Sequence, residues 1–230
     1  MSLYAIGDLH FSTSVNKPMD IFGGNWDNHQ NKIISNWKEI ITEDDTVLVL
    51  GDTSWGMNMN EAKEDLDIIN NLPGHKIFIK GNHDFWWSSL SKLKKMYGEM
   101  TFLQNSFYKY ENLGICGSRG WLCPNEVKFD KDDEKIYKRE ILRLKMSLDS
   151  AIKAGCEELI VITHYPPTND KLDESEFTKL YEQYNVKIVI YGHLHGQESF
   201  DMGLKGMRNN VEYILASCDY IDFKPIKIME

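Results

Sequence analysis

Apolar residues recur along this chain with two periods. Short aliphatic and β-branched runs at Leu3 to Ile6, Thr46 to Leu50, Lys76 to Ile79, Leu159 to Ile162 and Lys187 to Ile190 read as strands. Between them, Ile33, Ile34, Trp37, Ile40 and Ile41 fall at helical spacing, as do Ala62, Leu66 and Ile69, and Leu90, Leu93 and Tyr97 with Gly98 as a stop. Strands alternating with helical patterns predict an α/β fold, a sheet covered by helices. From Met100 the pattern changes. Met100 to Leu103, Phe107 to Tyr110 and Leu113 to Cys116 are separated by turn residues with no room for helices, which predicts a strand meander. A long helix is expected from Asp132 to Ala154, with Ile136, Leu142, Leu148 and Ile152 on or near one face. The acidic run Asp130 to Glu134 is its solvated start, favoured by the helix dipole. Val211 to Ala216 returns to strand.

Polar residues interrupt this pattern at repeated places. Ala5-Ile6 leads into Gly7-Asp8-Leu9-His10, Val49-Leu50 into Gly51-Asp52, and Phe78-Ile79 into Gly81-Asn82-His83-Asp84. Val161-Ile162 leads to His164, and Val189-Ile190 to Gly192-His193-Leu194-His195. Each cluster lies at the C-terminal end of an expected strand, the edge of an open α/β sheet where ligands collect. Five of the chain's seven histidines fall inside these clusters, a preference that scattered surface histidines would not show. Gly7, Gly51, Gly81 and Gly192 would let the backbone turn sharply before each ligand. Alone, such a glycine merely ends a strand; its repeated pairing with metal-ligand residues favours a functional purpose.

The series Asp-x-His, Gly-Asp, Gly-Asn-His-Asp, a lone His and Gly-His-x-His, in this order over roughly residues 5 to 196, resembles the calcineurin-like metallophosphoesterase superfamily. That resemblance implies an α-β-β-α sandwich, two mixed β-sheets flanked by helices, formed by residues 1–230 as one domain. It implies that Asp8, His10 and His195 bind one metal ion, that Asn82, His164 and His193 bind a second, and that Asp52 bridges both. A mixed imidazole, carboxylate and amide set suits Mn, Fe or Zn better than Mg alone. The implied chemistry is hydrolysis of a phosphate mono- or diester of a small molecule by a metal-bridging hydroxide. His83 matches a histidine that is not a metal ligand and assists the leaving group; an imidazole titrates in the range this requires.

The chain departs from one branch of the family. Protein serine/threonine phosphatases carry a further aspartate and arginine after the second motif, whereas this chain reads Gly51-Asp52-Thr53-Ser54-Trp55-Gly56. Asp84 is the candidate to orient the His83 imidazole in place of that aspartate. Arg119, in the glycine-flanked segment Gly117 to Trp121, is a candidate phosphate clamp beside Asn82, set against the plain alternative of a surface arginine in a turn. His29 could reach the substrate but is read as an ordinary residue at a helix start, and His75, after Pro73-Gly74, as a solvated turn residue. Phe85-Trp86-Trp87 could wall a substrate pocket, although large aromatics more often serve the core.

Composition narrows the partners. With 26 Lys and Arg against 35 Asp and Glu, the formal net charge is −9, which disfavours tight binding of duplex nucleic acid. Small phosphorylated substrates stay compatible, because bound cations reverse the local potential. Cys116, Cys123, Cys156 and Cys218 include no Cys-x-x-Cys pair and suggest reduced thiols in a cytoplasm. The first strand begins almost at Met1, so no leader is expected, and no run has membrane-spanning length. Two alternatives stay open: a nuclease or cyclic-nucleotide phosphodiesterase, and a non-catalytic metal-binding scaffold. Retention of every ligand and of His83 weighs against the scaffold.

Overall fold

The computed structural model describes residues 1–127 and 129–230. They form two compact units, one of Met1–Phe102 with Ala216–Glu230, the other of Leu103–Leu215.

In the first unit β1 (Leu3–Ile6), β2 (Thr46–Val49), β3 (His75–Phe78) and β4 (Met100–Phe102) run parallel. An antiparallel strand from the C-terminal segment, Ile226–Met229, completes the sheet on the β1 side. Every residue of β1 and β2 is buried, as expected for parallel strands covered on both faces. The helices are α1 (His29–Ile40), α2 (Met59–Asn70) and α3 (Leu90–Met96). They bury the apolar stripes read from the sequence, including Ile33 and Trp37, Ala62, Leu66 and Ile69, and Leu93. The Asn58 side chain starts α2 by accepting the backbone N–H groups of Asn60 and Glu61.

The second unit holds a six-stranded sheet in which β6 (Leu113–Ser118), β7 (Glu158–Thr163), β8 (Ile188–Tyr191) and β10 (Val211–Leu215) run parallel. The antiparallel strands β5 (Phe107–Tyr110) and β9 (Gly206–Arg208) form its two edges. Its helices are α4 (Lys131–Lys153), α5 (Glu176–Gln183) and α6 (Gln197–Asp201). Each unit thus contributes one mixed sheet with helices, in agreement with the expected fold class.

Three expectations change in detail. The meander divides: β4 joins β3 in the first sheet, whereas β5 and β6 pair as a hairpin in the second. Alternating apolar runs specify strands but not which sheet receives them. On α4 the buried face is Tyr137, Glu140, Leu144, Ser147, Leu148 and Ala151, while Leu142 and Ile152 are exposed. Residues six apart are about 240° apart on a helix of 3.6 residues per turn, so Leu142 and Leu148 cannot share a face. The start of α4 is as expected, with Asp130 and Asp133 in a reciprocal capping box.

The third concerns His75, which is the first residue of β3, half-buried, with Nε2 3.0 Å from Thr101 Oγ1. Burial first, and then the charge of Lys76, lower its pKa below the ordinary 6.5. The folded chain therefore prefers neutral His75. This contribution to stability is complete above the unfolded value of 6.5 and is lost as pH falls from there through the lower folded pKa. His75→Asn is expected to flatten that part of the stability-versus-pH curve, as measured by urea denaturation between pH 7.5 and 5; an unchanged slope would contradict this.

Among the described residues no helix is long and apolar enough to cross a membrane. All four cysteines are buried free thiols, and burial pushes Cys116 and Cys123 up to about 12.

Candidate functional site

In the first unit, the chain beyond β1 and β2 keeps the two strands' pairing going through the candidate ligand residues. Asp8 N–H donates to Gly51 O (3.0 Å), His10 N–H to Asp52 O (2.9 Å) and Phe11 N–H to Thr53 O (3.0 Å). Asp8, His10 and Asp52 all adopt left-handed backbone, with φ of 59°, 47° and 49°. Such conformations cost a non-glycine residue of order 1–3 kcal/mol and persist where the surroundings impose them, commonly at functional sites. All three side chains are buried. His10 Nε2 lies 3.9 Å from Asp52 Oδ2, and Asp52 Oδ1 accepts the His83 backbone N–H at 2.8 Å. Asn82 and His83 are half-buried beside them.

Gly81 is required by this arrangement. A Cβ there would lie 2.2 Å from Asp52 N and 2.1 Å from Asp52 Oδ1, distances no side chain can occupy.

Asp84 is fully buried and holds the backbone that carries these residues. Its Oδ2 accepts the N–H groups of Asp52 (2.9 Å) and Gly81 (2.7 Å); its Oδ1 accepts Thr53 N–H (2.8 Å) and the Trp86 indole N–H (2.9 Å). Four donors match the lone pairs of one carboxylate. The position of Asp84 beside His83 suggests orientation of that ring; these four bonds also tie the second and third motifs together. Trp86 belongs to the core and Trp87 packs against it, whereas Phe85 is exposed.

His29, taken from sequence as ordinary, is buried, with Nε2 3.2 Å from His10 O, so it supports the left-handed turn of His10. Burial lowers its pKa, and the neutral ring has the one N–H needed for this bond. No local pattern in Asp27-Asn28-His29 announces the contact, which joins positions 19 residues apart.

In the second unit the candidate ligand residues follow β7 and β8. His164 and Tyr165 both donate their N–H groups to Arg119 O, at 3.1 and 3.0 Å, and His164 O accepts Gly192 N–H at 3.1 Å. His193 adopts φ 72°. Its Nδ1 is 3.1 Å from His164 Nε2, and the Tyr165 ring packs at 4.1 Å on its imidazole. Two donors at roughly 2.1 Å from a shared ion lie about 3.0–3.4 Å apart, so this pair of nitrogens fits joint ligation. His195 is half-buried in the segment before α6.

Arg119 lies at the same sheet edge. Its guanidinium stacks over Trp121 at 4.5 Å and faces Glu140 of α4 at 3.9 Å, while Arg143 binds the same Glu140 oxygen at 2.8 Å. Burial lowers the Arg119 pKa, and the Glu140 charge opposes that shift. This is a placed arginine rather than a loose surface one.

Within the second unit, the paired imidazole nitrogens of His164 and His193 are of the kind that suits first-row metal ions. The family described as calcineurin-like phosphoesterase matches residues 1–197. Among curated proteins, the uncharacterized protein MJ1445 of Methanocaldococcus jannaschii is 31% identical over 87 residues, covering 36% of this chain and 46% of that protein. The gene 66 protein of Mycobacterium phage L5 is 24% identical over 73% of this chain and 64% of its own length. The chain thus spans less than two thirds of either relative. Two solved structures share the fold: TT1561 of Thermus thermophilus (TM-score 0.60, 9% identity, 98% of this chain and 96% of that one) and the phosphopantetheinyl hydrolase PptH of Mycobacterium tuberculosis (TM-score 0.56, 15% identity, 98% and 95%).

Proposed function

The chain belongs to the calcineurin-like phosphoesterase family, and from that premise we propose that it is a metal-dependent phosphohydrolase cleaving a phosphate mono- or diester of a small molecule. One observation carries the reading: every polar cluster of the family pattern sits just past a parallel strand, with left-handed backbone at Asp8, His10, Asp52 and His193.

Asp8, His10 and His195 are assigned to one ion, Asn82, His164 and His193 to a second, and Asp52 to both, with Mn, Fe or Zn as the ions. When bound, the pair supplies charge neutralisation at the phosphoryl group and an activated water at neutral pH. Asp52 also fixes the His83 main chain through its Oδ1. As a water-derived oxygen bonds to phosphorus, the bond to the leaving oxygen breaks, its electron pair stays with that oxygen, and the protonated His83 ring gives that oxygen a proton. Asn82 and Arg119 are assigned to the phosphate oxygens, with Trp121 holding the guanidinium plane. Asp84 acts on the site through the backbone of Asp52.

The net charge of −9 favours small substrates over long nucleic acid. PptH, a phosphopantetheinyl hydrolase by name, shares the fold, and a small phosphorylated compound is the substrate class assigned here.

Metal-stripped protein reconstituted with Mn²⁺, Fe²⁺, Zn²⁺ or Mg²⁺ is the test, with p-nitrophenyl phosphate and bis-p-nitrophenyl phosphate as substrates. Turnover is expected to vanish on chelation and return with Mn²⁺. Full turnover by the metal-free chain would overturn the reading. Preference for the bis ester would favour the diesterase alternative, a nuclease or cyclic-nucleotide phosphodiesterase.

A further inference from the structure

Trp55 packs against two imidazoles of the first unit. Its ring lies 4.7 Å from that of His10 with only 19° between their planes, and 4.5 Å from that of His83 at 49°. The two imidazoles are themselves 6.0 Å apart, so the indole is a common neighbour of a candidate ligand and the candidate leaving-group acid. Its own position is determined on several sides. Trp55 N–H donates to Phe11 O at 2.9 Å, the indole N–H reaches Met19 Sδ at 3.3 Å, and the Lys17 ammonium lies 4.7 Å from the ring centre. Buried Asp65 of α2 accepts from both Ser54 Oγ and Thr13 N–H, which ties the segments on either side. Gly56 follows because a Cβ there would lie 2.5 Å from Ala62 N.

Proton donation needs a ring nitrogen within roughly 2.6–3.2 Å of the leaving oxygen. The backbone bond to Asp52 fixes where the His83 main chain lies, and the Trp55 indole packs on the ring itself at 4.5 Å. We infer that Trp55 is a positioning residue which sets the plane of the His83 imidazole for donation to the leaving oxygen. The inference rests on the proposed role of His83 as that donor.

The experiment compares Trp55→Leu, Trp55→Phe, His83→Ala and the Trp55→Leu/His83→Ala pair on aryl phosphates of increasing leaving-group pKa, with ion content per chain measured in each. Trp55→Leu is expected to lower kcat on phenyl phosphate roughly ten- to a hundredfold, the scale of an ångström misplacement. On p-nitrophenyl phosphate, whose leaving group needs little protonation, the loss is expected to stay under about threefold. Trp55→Phe should recover most of the loss. The pair should be no worse than His83→Ala, because the two residues act as a unit.

A second readout needs no turnover. In the metal-free chain, histidine NMR should show the His83 Cε1–H signal displaced by the indole ring current in wild type, and the displacement should be lost in Trp55→Leu. A folded Trp55→Leu protein with the wild-type His83 signal and leaving-group dependence, while His83→Ala alters the latter, would overturn the inference alone. So would loss of an ion in Trp55→Leu, which would place its effect on His10. A His83→Ala protein with wild-type leaving-group dependence would overturn the role of His83 and the inference with it.

Discussion

Asp52→Asn is expected to lower kcat by roughly 10³-fold, the order found when a principal electrostatic stabiliser is removed from an active site. The substitution is close to isosteric. Its remaining carbonyl oxygen can still accept the His83 N–H that Asp52 Oδ1 accepts at 2.8 Å, and the backbone bonds to Asp84 and His10 do not involve the side chain. What disappears is the negative charge that the proposal assigns to both ions. Ion content should therefore fall below two per chain by elemental analysis, while the melting temperature of the metal-free protein moves little. Undiminished turnover in Asp52→Asn with full ion content would rule out the bridging assignment.

Asp84→Ala is expected to have the largest effect on stability. It removes the acceptor for the backbone N–H groups of Asp52, Thr53 and Gly81 and for the Trp86 indole, all in a buried setting. A buried donor left without a partner costs about 1–3 kcal/mol. Water entering the vacated space would recover part of that, so a loss of about 4 kcal/mol is expected, which for a chain of this size lowers Tm by roughly 10 °C. Asp84→Asn should fall between, because the amide keeps one acceptor oxygen but turns an NH₂ group toward two N–H donors. Turnover should fall in both, since the strained turn that carries Asp52 loses its tie. Calorimetry with parallel activity measurements checks this, and an Asp84→Ala protein melting within about 2 °C of wild type would show that the carboxylate is dispensable.

Sequence periodicity alone located the strands that precede the polar clusters, the three apolar helix stripes of the first unit and the loops that carry Asp8, His10, Asp52, Asn82, His83, His164, His193 and His195. These are local properties, since a strand's period of two and a helix's of 3.6 are written in neighbouring residues, and so is the polar cluster that ends each run. What lay beyond the sequence depends on residues distant along the chain. The entry of β4 into a different sheet from β5, the tie from Asp84 to Asp52 and Thr53, the support of His10 by His29, and the packing of Trp55 on His10 and His83 are of this kind. Asp84 is read in sequence beside His83, yet its carboxylate turns to a loop some thirty residues earlier, because those N–H groups are buried and need an acceptor. Local sequence pattern marked the residues to which the chemistry is here assigned. The tertiary structure decided which neighbours hold them in place, because burial and hydrogen-bond satisfaction are settled only once distant segments meet.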